Sequence, residues 1–326
     1  MIGDGMGTAQ VYTALTAKQG KLNMAQFPVT GFVKTYSADN YITDSGAGAT
    51  AYATGHKTNN GYISVAPDGT KLQTILEVAE SKGLSTGLVA TSAITHATPA
   101  GFIAHTSNRG NMEDIASDFL KTDIDVFIGG GYNNFALRKD SLNLVDSLLS
   151  KGYFVAKDLN DIDVPTVTKI AGLLSPGHMP KMSDGRKDML PKASEIALKV
   201  LSRNKKGFFL MIEGSQIDWG GHDNNLDYVK DEVVDFDNAV GKVLEFAKKN
   251  GETLVIVTAD HETGGLALTG GDLSTGKVEG GFIHKDHTAV MVPVFAYGPG
   301  SERFAGIIDN IEIHQKVMEL FGFLKK

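Results

Sequence analysis

The feature that most constrains this chain is a repeated alternation. Six short runs, 31–36, 86–91, 126–128, 208–212, 253–258 and 292–297, are nearly unbroken in apolar or β-branched residues, and stretches of helical periodicity lie between them. A strand with one face in water alternates polar and apolar side chains, whereas a strand without that alternation is buried on both faces. The helical patterns cover 9–19, 72–82, 112–120, 141–150, 192–203, 228–249 and 312–320. In 228–249, Val229, Val233, Phe236, Val240, Val243, Leu244 and Ala247 recur at the spacing of one helix face. Gly83, Gly152 and Gly251 follow three of these stretches, where helices characteristically end. The pattern predicts an α/β chain of three layers (α/β/α), with helices on both faces of a mostly parallel central sheet. No shift in composition marks a boundary, so residues 1–326 read as a single domain. The least regular stretch, 157–191, carries Pro165, Pro176, Pro180 and Pro191 and reads as an excursion from the core that overhangs the site.

In a sheet of this kind, ligands bind beyond the carboxyl ends of the strands. Polar residues follow several of the runs: 208–212 leads into Glu213, 253–258 into Asp260 and His261, and 86–91 towards His96 and Thr98. Met1-Ile2 reads as the end of a strand whose earlier residues precede it, and it leads into Asp4. No signal peptide is recognisable before G-D-G-M-G. The chain has no cysteine, so any metal must be held by histidine, carboxylate and hydroxyl groups. The net charge of -7 gives no nucleic-acid-binding signal. An acidic protein that handles phosphate needs local positive charge, which metal ions supply without lysines. No run approaches the ~18 apolar residues of a membrane span.

Several motifs carry chemistry. In T-D-S-G-A-G-A-T at 43–50, Ser45 opens a small-residue run able to wind into a helix, whose N-terminus cradles anions. In isolation this is a common structural turn. In E-G-S-Q-I-D-W-G-G-H at 213–222, Asp218 and His222 are four apart and share a helix face, where they could bind one cation. Glu213 could serve a second, harder ion. Alone, the same spacing also reads as a solvated helix start. T-A-D-H-E-T at 258–263 places Asp260 beside His261, a capping turn by itself and a metal pair in company with the previous motif. Asp4 between glycines reads as an ordinary turn or as a bridging ligand. Of His284 and His287, His287 is the better ligand because it immediately precedes a strand. His56, His105, His178 and His314 lack such company and read as structural or exposed. Arg109 follows His96 and Thr98; its guanidinium can grip two phosphate oxygens or serve a surface salt bridge.

Taken together these residues resemble those of the alkaline phosphatases, metal-dependent phosphomonoesterases, from Gly3 to the V-F-A-Y-G-P-G segment at 294–300. The resemblance implies two zinc ions and one magnesium. Ser45 matches the nucleophile that becomes phosphoserine, and Arg109 the phosphate clamp. Asp218, His222 and His287 match the ligands of the first zinc. Asp4, Asp260 and His261 match those of the second, which also contacts Ser45. Asp4, Thr98 and Glu213 match those of the magnesium. His96 and Trp219 stand where the enteric bacterial enzyme has aspartate and lysine. They are expected at the substrate, His96 not as a general base. The short segment from His261 to His287 lacks the crown insert of some members.

The resemblance further implies phosphate monoesters as substrates, inorganic phosphate as product inhibitor, possible transphosphorylation, a homodimer and a periplasmic or secreted location. Two other readings share parts of the pattern. A phosphodiesterase or nucleotide pyrophosphatase of the same superfamily would share the zinc ligands. A non-catalytic zinc- or phosphate-binding protein would have closed metal sites with no serine between ions.

Overall fold

The computed structural model describes residues 1–324. In chain order its strands are β1 (Ile2–Gly3), β2 (Val29–Lys34), β3 (Ser85–Ala93), β4 (Val126–Gly130), β5 (Phe154–Ala156), β6 (Ile170–Leu173), β7 (Phe208–Gly214), β8 (Val255–Val257), β9 (Glu262–Thr263), β10 (Ala267–Asp272), β11 (Lys277–Gly281), β12 (His287–Thr288), β13 (Val292–Tyr297) and β14 (Gly306–Asp309). The helices are α1 (Thr8–Ala17), α2 (Ser45–Thr54), α3 (Ile75–Ser81), α4 (Ala97–Ala100), α5 (Met112–Asp118), α6 (Tyr132–Ala136), α7 (Leu144–Ser150), α8 (Met189–Leu201), α9 (Gln216–His222), α10 (Leu226–Asn250) and α11 (Asn310–Leu320).

Six parallel strands run in the order β1-β7-β3-β4-β6-β5, and four more in the order β14-β2-β13-β8. A parallel bridge between Ile2 and Thr258 joins β8 to β1, so one sheet crosses the molecule. Within it β13 runs against both its neighbours, β2 and β8. The sheet is therefore mostly parallel, as the unbroken apolar runs require, and residues of β3 and β4 such as Leu88, Val89, Phe127 and Ile128 are fully buried. On one side α10 packs against α1, α8 and α9, while α2 packs with α3, α4 and α11. Every apolar position that defines the periodicity of 228–249 is buried in α10.

The strand order sets β8, β1, β7 and β3 side by side. These four strands deliver Asp260 and His261, Asp4, Glu213, and His96 and Thr98 to one edge of the sheet. The segment 157–191 is only partly an excursion, because Ile170–Leu173 returns to the sheet as β6 between β4 and β5. Four apolar residues among prolines are too few to reveal a strand by pattern. The segment between His261 and His287 forms the exposed β10–β11 hairpin, which leans on α1.

Candidate metal centre

Helix α2 begins at Ser45 because Asp44 caps it: the Asp44 side chain accepts from the backbone N–H of Ala47 at 2.9 Å. The small residues of this helix let it lie deep in the protein. A Cβ at Gly48 would come within 3.0 Å of the Asp260 side chain, so glycine is what lets the helix approach the end of β8. Ser45 is buried, and its Oγ lies 3.3 Å from His261 Nε2. Asp4 arrives through the turn after β1. Gly5 has φ +73°, and a Cβ there would meet the Asp218 backbone at 2.7 Å, which excludes any larger residue.

Three groups of donor atoms converge here: Asp218 with His222 and His287, Asp4 with Asp218 and His261, and Asp4 with His96 and Glu213. In the first, His222 Nε2 lies 3.3 Å from Asp218 Oδ1, His287 Nε2 lies 3.4 Å from the same oxygen, and the two nitrogens are 3.2 Å apart. Ligands about 2.0–2.1 Å from a tetrahedral zinc stand about 3.3 Å from one another, so this triangle has the dimensions of one face of such a site. In the second, His261 Nε2 lies 3.5 Å from Asp4 Oδ1 and 3.4 Å from Asp260 Oδ2. In the third, Thr98 Oγ1 stands 3.5 Å from Asp4 Oδ2, and Glu213 accepts from Ser215 Oγ at 2.6 Å. Asp4 and Asp218 each enter two of these groups, His96 enters the third, and Asp260 and Thr98 stand beside the second and third.

The electrostatics suit cations. Burial, followed by repulsion from Asp260, Asp218 and Glu213, raises the Asp4 carboxyl well above its usual range. Burial lifts Glu213 to about 7 and Asp260 to about 6. Burial also opposes ionisation of Asp218, but hydrogen bonds from His222 and His287 hold it well below the usual range. The Asp218 hydrogen bond raises His222 to about 9. Burial holds His96 at about 3, as a neutral ring. Among the described residues, Asp4 Oδ1, Glu213 Oε1, Asp260 Oδ2 and His96 Nδ1 are buried without a hydrogen-bond partner. Unpaired buried acceptors are costly. Four in one place, on carboxylate and imidazole donors alone, fit divalent metal cations.

Around these groups stand residues the sequence did not single out. Thr263 Oγ1 donates to Asp218 Oδ1 and lies 3.3 Å from His261 Nδ1. The second oxygen of Asp44 accepts from Arg109 Nη1 at 2.7 Å. His287 Nδ1 faces the Thr43 carbonyl at 2.9 Å, and His222 Nδ1 that of Lys285. The β9–β12 ladder sets His287 opposite Thr263. His178, from the irregular segment, packs edge-on against Trp219 at 4.7 Å and His96 at 5.3 Å between ring centroids. His178 is solvent-exposed as expected, yet it forms part of one wall beside the centre. His284 lies outside the donor groups.

A family model described as alkaline phosphatase matches residues 1–279. Alkaline phosphatase 3 of Bacillus subtilis (strain 168) is 36% identical over 99% of this chain and 88% of its own length. Alkaline phosphatase of Escherichia coli (strain K12) is 31% identical over 99% of this chain and 85% of its own. The solved structure of alkaline phosphatase from the Antarctic bacterium TAB5 superposes with a TM-score of 0.94 at 43% identity, over 99% of this chain and 97% of that one. Sequence, fold and site agree that this chain belongs to the alkaline phosphatase family, enzymes that hydrolyse phosphate monoesters.

Proposed function

We propose that this protein hydrolyses phosphate monoesters through a phosphoserine formed on Ser45, at a centre that holds two zinc ions and one magnesium. The observation that carries this reading is the convergence of three donor groups linked through Asp4 and Asp218, beside which the buried Ser45 Oγ lies 3.3 Å from His261 Nε2. Asp218, His222 and His287 would hold the first zinc; Asp4, Asp260 and His261 the second; and Asp4, Thr98 and Glu213 the magnesium. When bound, these metals would supply Lewis acidity at the serine and leaving-group oxygens and neutralise the phosphate dianion.

The chain's own groups do the rest. Ser45 Oγ attacks phosphorus as the ester oxygen leaves, and water then displaces the serine from the opposite side, so configuration at phosphorus is retained. An alcohol in place of that water gives transphosphorylation. Arg109 grips two non-bridging oxygens, and the start of α2 presents backbone N–H groups to the same anion. Burial opposes the Arg109 charge, but Asp44 secures it. His96, Trp219 and His178 form a neutral aromatic wall that confines the substrate. Contacts that concentrate on a terminal phosphate favour a monoesterase over a phosphodiesterase and make inorganic phosphate a product inhibitor. A homodimeric state and an exported location are part of the same reading, by likeness to the family.

The test is acid trapping of the labelled intermediate. With a phosphorus-labelled monoester, label is expected on Ser45 at low pH, while Ser45→Ala retains metal and loses most turnover. Full turnover by that variant would remove the covalent step. Higher activity on a chromogenic diester than on the matching monoester would replace monoester by diester hydrolysis.

A further inference from the structure

Behind the donor groups lies a buried carboxylate that belongs to none of them, Glu262. It stands in sequence between His261 and Thr263. Successive residues of an extended chain point to opposite faces. His261 and Thr263 meet on the side of the centre, with Thr263 Oγ1 3.3 Å from His261 Nδ1. Glu262 points the other way, towards α1, and accepts four hydrogen bonds there. Gln10 Nε2 donates to its Oε1 at 2.6 Å, and the backbone N–H of Leu266 to the same oxygen at 3.2 Å. The N–H of Gly265 donates to Oε2 at 3.2 Å, and Thr288 Oγ1 donates to Oε2 as well. These donors occupy the lone pairs of a carboxylate and offset the cost of burying it.

The donors come from three segments, each attached to a residue of the centre. Gln10 lies on α1, which follows Asp4; Gly265 and Leu266 follow His261; and Thr288 adjoins His287. The fit is close. A Cβ at Gly7, the last glycine of G-D-G-M-G, would come within 2.4 Å of Glu262 Cγ, so a larger residue there would displace the carboxylate. Strand β12 depends on this anchor. It is two residues long, with His287 opposite Thr263 and Thr288 opposite Glu262, and is shorter than most strands. The His287 ring stacks on that of His261, with 3.5 Å between centroids and 19° between planes, and its Nε2 lies 3.4 Å from Asp218 Oδ1. A slip of β12 along β9 would undo both contacts.

We propose that Glu262 is a positioning residue, an inference that rests on the metal centre proposed above: it clamps β12 to β9 and α1 through Thr288 and Gln10, and so holds His287 against Asp218. His287 enters the first donor group alone. Asp260 and His261 have other ties, since Gly5 N–H donates to Asp260 Oδ1 at 3.2 Å and Thr263 N–H to Gly5 O at 3.2 Å. Loosening the clamp therefore weakens the first zinc and spares the second.

The test is extraction of zinc from the loaded protein by a competing chelator, with the released metal counted. In Glu262→Gln, one zinc equivalent is expected to become about 10–100-fold easier to remove, while the other is held as in the parent and far-ultraviolet circular dichroism is unchanged. Thr288→Val is expected to loosen the same equivalent, and the double variant to add little, because both changes break one contact. Asp237→Asn is the control. Asp237 is likewise a buried carboxylate, accepting from the backbone N–H of Met24 at 2.9 Å and of Asn23 at 3.0 Å, but it lies on α10 away from the clamp. It is expected to lower Tm and to leave both equivalents in place. Unaltered extraction in Glu262→Gln and Thr288→Val, equal loss of both equivalents, or the same loss in Asp237→Asn would overturn the proposal while leaving the zinc centre standing. A parent protein that takes up no zinc would instead overturn the centre itself, and this role with it.

Discussion

Arg109 is held by the residue that caps α2: its Nη1 donates to Asp44 Oδ2 at 2.7 Å, while Asp44 Oδ1 caps the helix just ahead of the Ser45 side chain. One carboxylate thereby sets both the orientation of the proposed phosphate-gripping group and the position of the proposed nucleophile. The two functions of Asp44 can be separated. Asparagine caps a helix about as well as aspartate but does not pair with arginine as an anion. Asp44→Asn is therefore expected to keep Tm near that of the parent and to weaken inhibition by inorganic phosphate by about 3–10-fold through lost preorganisation. Asp44→Ala should weaken it similarly and also cost about 1 kcal/mol of stability from the lost cap. Phosphate inhibition constants and thermal melts of both variants check this.

Thr263 touches both halves of the proposed zinc pair through Asp218 and His261. Groups that orient metal ligands typically alter affinity by about 10–100-fold. Thr263→Val, nearly the same shape, should lose metal to a competing chelator in that range, while far-ultraviolet circular dichroism stays unchanged. Unaltered metal retention would leave Thr263 a packing residue only.

The buried carboxylates repel one another without cations. Exhaustive chelation is therefore expected to lower Tm, and zinc followed by magnesium to restore it in two increments. A metal present at about a thousand times its dissociation constant stabilises by about 4 kcal/mol. Calorimetry on the stripped and reloaded protein measures both increments.

His314, on α11, supplies a pH test away from the centre. Its Nε2 is buried without a partner, and burial, with a smaller effect of His56, lowers the ring to about 4. An unfolded histidine takes up its proton near 6.5. Stability from keeping His314 neutral is thus complete above about 6.5 and is lost as pH falls through about 4. Between pH 7 and pH 4.5 the parent should lose more Tm than His314→Asn, and equal losses would show that the ring is not desolvated in solution.

The sequence made the architecture legible where strands are long and buried on both faces. The run 292–297 coincides with β13, and 208–212 extends by two residues to include Glu213 and Gly214 of β7. It concealed β5, β6 and β14, which are three or four residues long and are recruited by neighbours on the sheet, not by their own periodicity. The proposed ligands were legible because chemistry demands their residue types at strand ends. Asp44, Thr263 and His178 were not, since their meaning lies in partners far along the chain. Asp44 meets Arg109 across 65 residues, and the only signal for it was its place just before Ser45 in a helix-capping position. Thr263 was only the last residue of a polar turn, and His178 lies among prolines and glycines that gave no pattern to read.

The ladder between β9 and β12 has a consequence for synthesis. Asp4 is made long before His287, which takes its place by pairing with Thr263. Until then a nascent chain holds only fragments of the proposed ligand set, each too weak to capture a metal firmly. Loading is postponed until His287 has been made, so the order of residues along the chain acts as a timer on metal capture.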